Sequence, residues 1–226
     1  MNNQIKLQLL GLNENLLMRS EELGCSLHSE TLAAVLHLRA RAAQFGFDLR
    51  IASSFRNFER QLLIWNNKAL GIRPVLDSSG NPLDINVLTD CEKVFAILRW
   101  SALPGASRHH WGTDLDVYDA SSVDVDYKVQ LTQAETEADG PFAEFHRWLD
   151  EELQREGCKF YRPYSIDRGG IAPEPWHLSY TPLAKKYVQL FTLDVLREQL
   201  EKTPLELKST VLENLDEIFR RFICVD

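Results

Sequence analysis

The chain has 226 residues, a length that suits one domain or one domain with an appendage. Apolar residues make up 44% and charged residues 26%, ordinary globular usage that excludes a disordered or low-complexity chain. Its 25 Lys and Arg against 33 Asp and Glu give a net charge of −8, which argues against nucleic acid as a partner and requires local Arg or Lys for any anionic substrate.

Near the start, Lys6, Asn13, Glu14 and Asn15 interrupt the apolar runs before the core of a signal peptide can form. No stretch of about 18 apolar residues follows elsewhere, so no spanning helix is expected. Cys25, Cys91, Cys158 and Cys224 are scattered without a CxxC pair and read as reduced thiols. The expectation is a cytoplasmic protein, or a periplasmic one if a leader precedes this sequence.

Helical spacing of Leu32, Val35, Leu36 and Leu38, with Gly46 beyond, predicts a helix over Ser29 to Gln44. Alternation of Phe47, Leu49 and Ile51 predicts a strand to Ser54, and a second helix should run from Phe58 to Leu70. Pro74, Gly80 and Pro82 mark a long loop from Gly71 to Asn86. Thr89 and Glu92 have capping-box spacing and open a helix to about Trp100. A strand is expected over Thr113 to Tyr118, a helix from Pro141 to Glu156, and strands over Cys158 to Tyr164 and Trp176 to Tyr180. Thr181-Pro182 and Thr203-Pro204 predict a pair of C-terminal helices whose leucine faces, including Leu190, Leu193, Leu196 and Leu200, pack on the rest.

Chemistry concentrates in two segments. In Ser107-Arg108-His109-His110-Trp111-Gly112-Thr113-Asp114-Leu115-Asp116, imidazoles and carboxylates flank a glycine, so a His before the bend and an Asp on the strand after it can point at one centre. In Glu174-Pro175-Trp176-His177, a carboxylate and an imidazole lie three apart; a straight strand would point them in opposite directions, and Pro175 disfavours a helix. Irregular backbone is therefore predicted at Glu174 to His177. Two imidazoles and one carboxylate suit zinc, and three such ligands leave a position open for water, the catalytic arrangement. With a Glu nearby to accept a proton, hydrolysis is the natural chemistry.

Ser107, His109, Gly112 and Asp116 fit an S-x-H-x-x-G-x-A-x-D motif, and Glu174 to His177 fits E-x-x-H. Upstream, Ser53-Ser54-Phe55-Arg56 followed by Gln61 is similar to an S-x-Y-R…Q segment. In this order the three resemble the zinc D-alanyl-D-alanine carboxypeptidases and dipeptidases typified by VanY and VanX. The resemblance implies one zinc ion held by His109, Asp116 and His177, with Glu174 as general base. It implies Arg56 as the cation that steadies the oxyanion or holds substrate, and Gln61 and Ser107 as substrate-positioning residues. The implied activity is removal of a C-terminal D-amino acid from a peptidoglycan stem peptide or muropeptide.

L,D-carboxypeptidase, dipeptidase and endopeptidase activities stay open, as does a noncatalytic zinc-binding module of hedgehog type. Arg56 or Arg108 could receive the free carboxylate that a carboxypeptidase must bind. Asp114 departs from the motif, which has Ala there; it could bond a ligand imidazole, pair with Arg108 or face water. Either of His109 and His110 could bind metal, but His109 has the motif's spacing to Gly112. Trp111 could wall the pocket or merely pack, whereas Trp65, Trp100 and Trp148 read as core and His28, His37 and His146 as without function. The expected fold is α+β, a small, mainly antiparallel sheet carrying the metal with helices around it. Residues 1–182 would form the peptidase domain and residues 183–226 a helical appendage packed on it.

Overall fold

A computed structural model describes residues 1–224. Helix α1 (Asn3–Leu9) precedes a two-stranded ribbon, β1 (Leu17–Ser20) and β2 (Cys25–His28), which leads into α2 (Ser29–Gln44). Strand β3 (Leu49–Ser53) and helix α3 (Phe58–Ala69) follow, then a long loop and α4 (Asp90–Leu98), opened by the Thr89–Glu92 capping box. After β4 (Asp114–Asp119) come the short α5 (Gln133–Thr136), α6 (Ala143–Gln154), β5 (Phe160–Tyr161) and β6 (His177–Tyr180). The chain closes with α7 (Thr181–Leu190), α8 (Leu193–Lys202), α9 (Lys208–Glu213) and α10 (Leu215–Ile218).

Strands β3, β4, β6 and β5 form one antiparallel sheet in that order. The fold is the expected α+β class. Leu115, Val117 and Leu178 are buried on this sheet and join a single hydrophobic cluster that extends from Leu9 to Phe222. Leu196 and Leu200 are wholly buried in that cluster, so the C-terminal leucines do pack on the rest, while Leu190 stays exposed.

Two expectations change. The strand foreseen over Cys158 to Tyr164 shrinks to Phe160 and Tyr161, because Pro163 has no N–H to continue a ladder. The foreseen pair of C-terminal helices is four shorter helices and a closing π turn over Phe219–Ile223. Thr192 caps α8, breaking the first helix of the foreseen pair. Thr203 ends α8 instead of opening a helix: its N–H donates to Leu200 O and its hydroxyl to Gln199 O.

No helix among the described residues is long and apolar enough to cross a membrane.

Candidate metal centre and cleft

Sheet register assembles the site. Asp116 on β4 lies opposite His177 on β6 and, across a bulge, opposite Ser53 on β3. Three sequence motifs thus meet along one row of the sheet, and positions abreast on neighbouring strands face the same side. The predicted irregular backbone is present: Pro175 and Trp176 form a turn in which His177 N–H donates to Glu174 O at 3.1 Å. That turn brings Glu174 Oε2 to 3.4 Å from His177 Nδ1.

His109 arrives from a short 3-10 turn, Arg108–Trp111, closed by Gly112 at φ +69°. A Cβ on Gly112 would lie 2.5 Å from Leu17 and 3.0 Å from His28 N, so only glycine allows this approach to the ribbon. The loop after β3 is laced to the same turn. Arg56 N–H donates to His109 O at 3.1 Å, His109 Nδ1 to Ser54 O at 2.8 Å, and His110 Nδ1 to Arg56 O at 2.5 Å.

These bonds fix which nitrogen of each ring is bare. Ser54 O only accepts, so His109 carries its proton on Nδ1 and presents Nε2, 3.4 Å from Asp116 Oδ2. Asp114 Oδ1 takes the Nε2–H of His177 at 2.9 Å, which presents Nδ1, 3.2 Å from Asp116 Oδ1. Asp116 Oδ1 and His177 Nδ1 are buried and have no hydrogen-bond partner among the described residues. Ligand atoms of His109, Asp116 and His177 all lie within 4.8 Å of one another. Bare nitrogens and carboxylate oxygens crowded together without a donor call for a cation, and an N, N, O set is one zinc accepts.

Electrostatics agree. Burial alone would raise the Asp116 carboxyl, but His109 and His177 hold it far below the ordinary carboxylate value. Burial alone would lower the His177 imidazole, yet the hydrogen bond to Asp114 and the nearby carboxylates of Asp116 and Glu174 draw it well above its ordinary value. An excess of negative charge therefore surrounds that ring, and a divalent ion would neutralise it.

Asp114, the departure from the motif, is wholly buried. Besides His177 it accepts from Arg108 Nε at 2.9 Å and from the Thr113 hydroxyl at 2.5 Å. Burial opposes its ionisation, but Arg108 and His177 hold the carboxyl down to about 2. It therefore bonds the ring and pairs with Arg108, and does not face water.

Arg56 lines the cleft, with Nη1 donating to Gln61 Oε1 at 2.8 Å and Nη2 to Ser53 Oγ at 3.1 Å. Gln61 is buried, its amide donating to Ala102 O at 2.7 Å, so what it touches is Arg56. Ser107 is buried and lines the cleft. His110 is no part of the centre: Nε2 accepts from Gly105 N–H at 3.0 Å, Nδ1 is held by Arg56 O, and burial depresses the ring to about 3.

Trp111 packs against Tyr187 and Phe191 and donates to Leu9 O, whereas Trp100, expected in the core, lines the cleft. It sits past the end of α4, half-buried, with its indole N–H given to Asp77 O.

The cleft encloses about 250 Å³. Sequence reasoning missed Tyr164, whose ring packs on His177 at 4.9 Å, and Lys68, which lines the cleft from α3. For Lys68 a signal existed, since Phe58, Gln61, Trp65 and Lys68 follow the spacing of one helix face. A larger hollow of about 510 Å³ lies beside α2 and β5, lined by His37, Glu152 and Tyr180, and none of the site residues reach it.

Comparison with known proteins adds family and fold. An uncharacterized protein of Haemophilus influenzae is 53% identical over 77 residues, 34% of this chain and 53% of its own length. The chain thus spans about half of that relative. A second uncharacterized protein of the same organism is 31% identical over 123 residues, 54% of this chain and 92% of its own length. Among solved structures, VanYB in complex with D-Alanine-D-Alanine has a TM-score of 0.51 at 24% identity, covering 82% of this chain and 88% of that one. A mutant of the vancomycin-resistance D,D-pentapeptidase VanY in complex with Zn(II) also has a TM-score of 0.51, at 23% identity, covering 86% and 88%. These two share the fold. The profile of VanY, D-alanyl-D-alanine carboxypeptidase, matches residues 24–183, more than half of the sequence, and the chain belongs to that family.

Proposed function

We propose that the protein is a zinc peptidase that removes a C-terminal D-amino acid, D-alanine, from peptidoglycan-derived peptides. The observation that carries this reading is the convergence of two bare imidazole nitrogens and an unpartnered carboxylate oxygen beside Glu174 in a cleft. His109 Nε2, Asp116 and His177 Nδ1 would hold one ion. Zinc, when bound, supplies a Lewis acid that polarises a carbonyl and acidifies water.

Within this reading Glu174 accepts the proton of the attacking water and returns it to the leaving amine. Its backbone is held by the turn that hydrogen-bonds His177 N–H to Glu174 O, and by Glu174 N–H donating to Tyr164 O at 2.8 Å. Arg56 stabilises the negative charge that develops on the carbonyl oxygen, held ready by Gln61 and Ser53. Both Glu174 and Arg56 line the cleft, which supports catalysis over a binding module that only carries zinc. The family supports a carboxypeptidase over an endopeptidase.

Glu174→Gln tests the reading. It should keep one zinc per chain while kcat on a D-alanine-terminated stem peptide falls roughly 10²- to 10⁴-fold. Undiminished turnover in that variant, or no D-alanine released by the zinc-loaded wild type, would overturn it.

A further inference from the structure

Helix α3 turns Phe58, Gln61, Leu62 and Trp65 inward, and the spacing carries Lys68 onto the same face. Lys68 is half-buried and lines the cleft together with Arg56, His109 and Glu174. Arg56, which shares the cleft, is held by Gln61 from the same helix face. Among the described residues no hydrogen bond or ion pair reaches its ammonium. Burial lowers it from 10.5 to about 8, with Arg73 and Arg56 repelling it and Glu174 attracting it.

An ammonium partly withdrawn from water and not neutralised is held at a cost, which an arriving anion offsets. The neighbouring cations cannot serve the same anion equally well. Arg108 is spent on Asp114, and it also donates to Tyr161 and Ser179. Arg56 is tied at both terminal nitrogens, though to neutral oxygens, and stands beside His109 where the reacting carbonyl would lie. Of the cleft's carboxylates, Asp116 and Glu174 both face His177 and the candidate ion. Positive charge is therefore left over in this cleft, within a protein of net charge −8.

We propose that Lys68 receives the free C-terminal carboxylate of the peptide, so that the cleft selects a chain end over the interior of a chain. This rests on the peptidase reading above and names what in the site makes it act from the end. A single residue beyond the scissile carbonyl, about 3.5 Å of chain, separates that carboxylate from the reacting carbonyl, so it needs a cation of its own in the same cleft, and Lys68 lines it. The pairing is a charge-assisted hydrogen bond in a partly dry site, the stronger kind.

The test uses the zinc-loaded wild type, Lys68→Met and Lys68→Arg on two D-alanine-terminated peptides that differ only in ending as a carboxylate or an amide. Wild type should prefer the acid. Lys68→Met should raise KM for the acid roughly ten- to a hundredfold with kcat nearly kept, leave the amide unaffected and so abolish the preference. Lys68→Arg should retain the preference, and zinc content should match across all three. A preference that survives in Lys68→Met, an equal loss on acid and amide, or no preference in the wild type overturns the role of Lys68 alone. A wild type that cleaves neither peptide overturns the peptidase reading, and this inference with it.

Discussion

Asp114 accepts the Nε2–H of His177 at 2.9 Å, and that one bond decides which nitrogen of the ring faces Asp116 and Glu174. Asp114 stays charged in a fully buried position because Arg108 pairs with it and the Thr113 hydroxyl donates to it. The position where the family motif has Ala is thus used here to fix the tautomer and the angle of the His177 ring.

Replacing Asp114 by Asn keeps the shape but removes the charge and lets the amide turn its NH₂ toward the ring. Zinc affinity should fall roughly 10- to 100-fold, measured by competition with a chromophoric chelator. Affinity equal to wild type would show that the ring is held by the turn at Pro175 alone.

The paired histidines should separate cleanly. His109→Ala should abolish stoichiometric zinc binding. His110→Ala should keep zinc but unfold more readily, because Gly105 N–H and Arg56 O lose their partner and each orphaned buried group costs about 1–3 kcal/mol. Bound zinc counted by elemental analysis, beside urea midpoints, decides it. Zinc retained in His109→Ala and lost in His110→Ala would exchange the two roles.

Acid should weaken the fold through His146. Arg162, which can only donate, bonds His146 Nδ1 at 3.1 Å and also donates to Asp150 and to Pro175 O, holding the turn beside Glu174. Burial, with the Arg162 charge adding, depresses the ring from 6.5 to about 3. Between these values the unfolded chain binds the proton and the folded one does not. Stability is therefore full above about pH 6.5 and declines as pH falls toward 3. His146→Gln, which can still accept from Arg162, should flatten that decline in denaturant titrations at stepped pH. An unchanged slope would place the acid sensitivity elsewhere.

Much of this was legible in the sequence, and the reason is local. The capping box at Thr89, the periodic face of Ser29 to Gln44 and the bend forced by Pro175 are decided by near neighbours, and each is present in the fold. The motif spacing of His109 to Gly112 and Asp116 likewise reflects one turn and one strand. What could not be read depends on distant contact. The register of β3 on β4 brings Ser53 abreast of Asp116, and the Arg108 guanidinium is spent on Asp114 and not on substrate. Lys68 had the right helical spacing, but a cleft on that side of α3 comes into being only once the loops carrying Ser107 and Glu174 fold over it. At the C-terminus, Thr181-Pro182 opens α7 as its local sequence predicts, while the hydroxyl of Thr203 closes the preceding helix instead of opening the next.

The central claim is that His109, Asp116 and His177 together hold one divalent cation beside Glu174. Anomalous diffraction at the zinc edge from crystals grown with zinc measures this directly. A single strong peak about 2.0–2.2 Å from His109 Nε2, an Asp116 oxygen and His177 Nδ1, with no fourth protein ligand, is the result expected. Density elsewhere on the chain, binding through His177 Nε2, or a fourth side chain closing the coordination sphere would contradict it.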